Sequence, residues 1–304
     1  DEEFRRELSQ IISFDLKTSG VYNPTQEAQT HTKEINIKPS YYYISKDGTE
    51  FKLYANIGTP EEAEIAKAEG ADGIGLFRTE FLFMSESGAS IHAAARSFSE
   101  ETQFEAYKKV LQIMEDKPVT IRTLDAGGDK LINSVDLPNY DEKNPLMGLR
   151  AVRLSLAHPN VFKTQIRALY RAGLYGNLRI MLPLITSVEQ VRQCLAIIEE
   201  AKKELDFENI PYKADIPIGI MVETAAAAIM SDCLAKVSDF FSLGTNDLTQ
   251  YTLGIDRENM HVAGLYNEFS LAVLRLIQTT VIKEKKANIP LSVCGEMAGK
   301  HDSV

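Results

Sequence analysis

Seven times between residues 51 and 296 a short apolar run gives way to a turn and then to a longer amphipathic stretch. The runs are FKLYANIG (51–58), ADGIGLFR (71–78), PVTIRTL (118–124), LRIMLPLI (178–185), IPIGIMVE (216–223), DFFSLGTN (239–246) and PLSVCGE (290–296). Strands this continuously apolar are buried on both faces, as in parallel sheets. The stretches between them carry helix starts. Thr59-Pro60-Glu61-Glu62 offers an N-cap, a proline at the first helical position and a glutamate placed to close a capping box. Thr186 with Glu189 repeats the box, and Val188, Val191, Leu195, Ile198 and Leu205 then keep mostly to one helical face. Strand followed by helix, repeated seven times, predicts an α/β domain, either a (β/α) barrel or a doubly wound sheet.

Two segments interrupt the rhythm. Residues 85–99 read as an insertion, and 125–175 is too long for one crossover, so a loop and two short helices are expected there. Residues 1–50 read as a lead-in or linker before a domain over 51–304. The chain opens on Asp1 and stops at Val304 just after the seventh run, so a closed eight-stranded barrel would lack its last unit. The expectation is a fragment of a longer chain.

Composition narrows the function. A net charge of −10 argues against general attraction to nucleic acid or anionic lipid. No apolar stretch reaches the roughly 20 residues of a membrane span. The three cysteines, Cys194, Cys233 and Cys294, are odd in number and widely spaced, which suggests neither disulfides nor a zinc site and favours the cytosol.

Polar residues gather at the carboxyl ends of the apolar runs: Arg78, Arg122, Glu223, Asn246, Asp247 and Cys294. In a parallel barrel those ends form one face, where active sites are built. Arginines, with Arg150 and Arg257 near in sequence, suit phosphate and carboxylate oxygens. Glu223 and Asp247 are hard oxygen ligands suited to one Mg²⁺. Taken singly, each has a plainer reading. A lone arginine is more often a surface ion-pair partner, a strand-end glutamate is usually structural, and a cysteine is usually a small buried apolar residue. Cys194 and Cys233 keep that last reading.

The blocks GIGLFRTEFLFM (73–84), RTLDAGGDK (122–130), NPLMGLR (144–150), GIMVET (219–224), DFFSLGTNDLTQYTLGIDR (239–257) and VCGEMAG (293–299) make the pattern specific. In order and spacing they resemble the phosphoenolpyruvate (PEP)-binding barrel of the enzyme I family of the bacterial sugar phosphotransferase system. That family is related to PEP synthase and pyruvate phosphate dikinase. The resemblance spans roughly residues 50–300 and implies a (β/α)8 TIM-type barrel, truncated here before its eighth strand. It implies that Arg78 and Arg122 grip the substrate phosphoryl group and that Arg150 lines the same pocket. Asn246 and Arg257 would contact PEP, Glu223 and Asp247 would hold Mg²⁺, and Cys294 would protonate the methylene carbon. It further implies a twofold dimer, and transfer to a histidine on a separate N-terminal domain and then to a phosphocarrier protein.

The histidine motif of that separate domain does not occur in this sequence; His92 in GASIHAAA mimics it faintly. Ala225 stands where the family usually has proline, and Ala126 where isoleucine is common, neither at a proposed ligand. The glycine pair before Lys130 reads either as a phosphate cradle or as a tight βα turn. Two other readings stay open. One is the PEP-binding domain of a synthase or dikinase; the other is a non-catalytic PEP sensor, which would have no use for a proton donor.

Overall fold

The computed structural model describes residues 43–44, 50–83, 99–127 and 142–299. Most of the lead-in over 1–50, residues 85–98 of the expected insertion at 85–99, His92 and Lys130 lie outside the described residues. A short antiparallel pair, β1 (Tyr43–Ile44) with β2 (Glu50–Phe51), precedes the main sheet.

Seven parallel strands follow: β3 (Tyr54–Ile57), β4 (Gly73–Arg78), β5 (Pro118–Arg122), β6 (Asn177–Leu182), β7 (Ile218–Val222), β8 (Phe241–Gly244) and β9 (Leu291–Cys294). Each pairs with the next in sequence, which is the strand order of a (β/α) barrel and not of a doubly wound sheet. Among the described residues β3 and β9 do not pair with each other, so the sheet is an open, curled half-barrel. Its curl brings β4 into contact with β9. Leu76, Met181, Met221 and Phe240 meet inside the curl, with Cys294 packed against them.

The main core lies outside the sheet, under the helices. Helix α1 (Pro60–Ala68) follows β3, and α2 (Glu80–Phe83) and α3 (Glu100–Met114) follow β4. Helices α4 (Ala151–Ala157) and α5 (Pro159–Ala172) follow β5, matching the two expected in the long crossover. Helix α6 (Val188–Phe207) follows β6, and α7 (Ala225–Ile229) with α8 (Ser231–Leu234) follow β7. Helices α9 (Thr245–Leu253) and α10 (Leu271–Ala287) lie between β8 and β9.

Local signals mostly hold. At α1, Glu62 Oε2 accepts from the backbone N–H of Gly58 (2.6 Å) and of Thr59 (3.4 Å), as a box residue should. At α6 the cap moves one residue along: Ser187, not Thr186, accepts from Gln190 N (3.2 Å), while Gln190 Oε1 takes the Thr186 N–H (2.7 Å). Ser-Val-Glu-Gln offers the same S-x-x-Q chemistry one position later, and Ser187 has the extended backbone that a cap needs. Cys194 is buried as expected, but Cys233 is exposed, because the short α8 turns it outward.

Phe77 shows how outward side chains hold the wall. It is fully buried and meets Tyr107 of α3 edge-on, with ring centroids 6.2 Å apart. Phe77→Ala should cost about 3–5 kcal/mol by leaving a cavity between sheet and helix, measured by urea unfolding.

Candidate active site

Because all seven strands are parallel, their carboxyl ends share one rim. Register then decides which side chains face inward. Arg78 pairs with Arg122, Arg122 with Met181, Met221 with Ser242, and Gly244 with Cys294. Paired residues in adjacent strands point to the same face, and Met181 and Met221 belong to the inner cluster. Arg78, Arg122 and Cys294 therefore face inward, and so does Glu223, two residues beyond Met221. Widely separated stretches of sequence thus converge on one opening.

Arg122 is central. Its guanidinium contacts Asp125 (2.7 Å) and Glu80 (3.0 Å), and its side chain is only 11% exposed. Burial acts to lower its pKa, but Asp125, Glu80 and Glu223 hold it above the ordinary arginine value. Arg150, which precedes α4, reaches the other oxygen of Asp125 at 3.0 Å. An isolated bridge between Gly127 and Arg150 ties the chain after β5 to the start of α4. Arg78 lies over the ring of Phe81, 5.0 Å from its centroid. The Nε atoms of Arg78, Arg122 and Arg150 are all buried and meet no hydrogen-bond partner among the described residues. Buried donors left unmet are uncommon, and three at one rim favour an anionic ligand.

The acids surround these cations. Glu223 is 2% exposed, and its Oε1 accepts from the backbone N–H of Leu184 (2.6 Å). Burial first, then the nearby charges of Asp125 and Asp247, push its carboxyl well above the usual range. Asp247, in the first turn of α9, is raised by burial and Asp125, against the pull of Arg257, Arg150 and Arg122. Arg257 approaches it at 3.5 Å. Gly244 leaves the room that Glu223 needs, since a Cβ there would stand 2.8 Å from Glu223 Cβ and 3.0 Å from its Oε2.

Asn246 turns its side chain toward the turn that follows β9, where Oδ1 accepts from Glu296 N (2.9 Å). The site therefore brings together Arg78, Arg122, Arg150, Glu223, Asp247, Arg257 and Cys294, with Asn246 bracing its edge. Among the described residues no three His, Cys, Asp or Glu side chains are grouped to hold a metal ion. Glu223 and Asp247 still fit a cation that takes its other ligands from water and substrate, because their mutual repulsion is what a divalent charge would relieve.

Sequence reasoning assigned no role to Glu80 and Asp125, although both stand inside the quoted blocks. Their signal is proximity to strand-end arginines: R-T-E in one block, R-T-L-D in the other. It also missed a buried support. Thr79 Oγ1 donates to the carbonyl of Arg122 (3.0 Å), and Gln165 donates to Thr79 (3.3 Å) and to Tyr107 (3.1 Å). Gln165 Oε1 then accepts from Leu124 N (3.0 Å), fixing the turn beneath Arg122.

Fold and rim together describe a parallel α/β domain built to hold a small anion. Residues 33–304 match the model of the PEP-utilising enzyme, PEP-binding domain family, and the chain belongs to that family. Among curated relatives, the phosphoenolpyruvate-protein phosphotransferase of Priestia megaterium is 46% identical over 256 residues, covering 84% of this chain and 43% of that protein. The protein of the same name from Geobacillus stearothermophilus is 47% identical, with the same coverage of 84% and 43%. The one from Listeria monocytogenes is 40% identical over 305 residues, covering 97% of this chain and 52% of its own. The chain thus spans about half the length of these relatives. Among the described residues no helix is long and apolar enough to cross a membrane.

Proposed function

We propose that this chain binds PEP with Mg²⁺ at the rim and acts as the PEP-binding part of a phosphoenolpyruvate-protein phosphotransferase. One observation carries the reading: three arginines with buried, unmet Nε–H groups share a rim with the buried acids Glu223 and Asp247. Arg78 and Arg122 would take the phosphoryl oxygens, with Arg150 beside them and Arg257 and Asn246 at the rest of the substrate. Phosphoryl transfer depends mostly on charge neutralisation and in-line placement, which a fixed set of guanidinium groups supplies. Glu223 and Asp247 would hold Mg²⁺, which when bound adds charge neutralisation at the phosphoryl and enolate oxygens. Cys294 would give the proton that turns the enolate into pyruvate. The phosphoryl group would pass to a histidine on an N-terminal domain, then to a phosphocarrier protein serving sugar uptake, in a cytoplasmic homodimer.

Reconstitution tests this. With the N-terminal domain supplied, tethered or in trans, PEP and Mg²⁺ should yield phosphohistidine and pyruvate. A folded full-length protein that formed no phosphohistidine would end the reading. Within it, Cys294→Ala should leave the PEP Kd within about threefold of the parent, yet slow turnover by about 10²-fold or more, as loss of a general acid does. Calorimetry and stopped-flow detection of pyruvate separate the two effects.

A further inference from the structure

Below the rim, on the inner face of β8, Ser242 is 1% exposed in a layer otherwise lined by Leu76, Met181, Met221 and Phe240. A hydroxyl so buried needs a partner. Its Oγ donates to Cys294 Sγ at 3.5 Å, across the β8–β9 pair. The thiol in turn donates to the carbonyl of Leu243 at 3.4 Å. Ser292, in register with Ser242, points its own hydroxyl to the Phe241 carbonyl (3.4 Å) and does not compete for the sulfur. Thr245 Oγ1 holds the Cys294 carbonyl at 3.2 Å, which fixes the backbone that carries the thiol. Ser242, Cys294 and the buried Asn56 Oδ1, which meets no partner among the described residues, face one small cavity of about 10 Å³.

We propose that Ser242 is a positioning residue for Cys294, holding the sulfur in place and hydrogen-bonding the thiolate left once the proton has gone to carbon. This deepens the PEP reading and rests on it for the destination of the proton. In the pyruvate-forming direction a C–H bond forms at the enolate methylene as the S–H bond breaks. The electron pair stays on sulfur, and Ser242 keeps its own proton throughout. In reverse, the thiolate takes a proton from the pyruvate methyl group. A neutral hydroxyl suits the task, because it strengthens its bond as charge appears on sulfur and adds no charge of its own. Arg122 on β5 already interacts with Cys294 electrostatically. Arg78 on β4, Glu80 on α2, Asp125 after β5, Arg150 before α4, Glu223 after β7, Asp247 and Arg257 on and after α9, and Glu296 beyond β9 also carry charge at this rim, and none changes in a Ser242 variant.

The test reads the thiol directly. In a Cys233→Ser background, iodoacetamide alkylation of Cys294 is followed against pH by peptide mass spectrometry. Cys194 stays silent, since burial pushes its thiol up to about 12. Ser242→Ala should move the Cys294 midpoint up by about one pH unit, a tenfold loss of thiolate at fixed pH, and Ser242→Thr should restore it. In full-length protein Ser242→Ala should lower kcat about tenfold with KM for PEP unchanged. An unmoved midpoint in folded Ser242→Ala overturns the proposal, as does a midpoint that Ser242→Thr fails to restore. If PEP did not bind yet the midpoint moved, the substrate assignment would fall while the thiol–hydroxyl coupling stood.

Discussion

Arg122→Ala should abolish PEP binding, weakening it by at least about 100-fold in calorimetry with Mg²⁺ present. The side chain faces inward from the end of β5 and is gripped by Glu80 and Asp125. Removing it takes away the central cation of the pocket. It also leaves two largely buried carboxylates short of a counter-charge, which should lower stability by about 3–5 kcal/mol. Arg122→Lys distinguishes the two losses. A lysine keeps the charge but not the planar fork, so it should recover most of the stability and little of the affinity. Circular dichroism melts run beside the calorimetry report each separately. Ordinary PEP affinity in a folded Arg122→Ala protein would remove this residue from the site.

Glu223→Gln should act in opposite directions on stability and function. The amide can keep the acceptor that Leu184 N uses, and it fits the space left by Gly244. It removes a carboxylate whose ionisation is opposed by burial, by Asp125 and by Asp247. The melting temperature should therefore be no lower than the parent's. The increase in PEP affinity on adding Mg²⁺ should vanish, because one of two proposed hard ligands is gone. A Glu223→Gln protein with the parent's Mg²⁺ dependence would place the ion elsewhere.

The strands were legible because burial on both faces leaves a mark that needs no context. PVTIRTL became Pro118–Arg122, and IPIGIMVE became Ile218–Val222. The run at 51–58 was less exact, since β2 ends at Phe51 and β3 begins only at Tyr54. Strand order was not legible from periodicity, which fits barrel and doubly wound sheets equally; the motif blocks chose between them. Arg78, Arg122, Glu223 and Cys294 could be placed because each closes an apolar run. Asp125 and Glu80 could not, because a carboxylate three or two residues past an arginine reads as an ordinary turn or helix start. Only the folded chain turns them back onto Arg122. Ser242 was hidden for a related reason: one hydroxyl in FFSLG says nothing until register sets it beside a cysteine more than fifty residues later.

Asp125 holds Arg122 with one oxygen and Arg150 with the other. The rim thus carries an anion of its own, covalently supplied. An incoming ligand gains only the difference between its own grip on the guanidinium forks and that of the tethered carboxylate. A singly charged ion from the medium offers little more than Asp125 already does, and it must also surrender its freedom of movement. A multiply charged ligand with several oxygens can engage Nε–H donors that Asp125 does not satisfy. If the rim takes PEP as proposed, the internal acid should act as a threshold, keeping the arginines in order between visits and disfavouring weak competitors without any moving part.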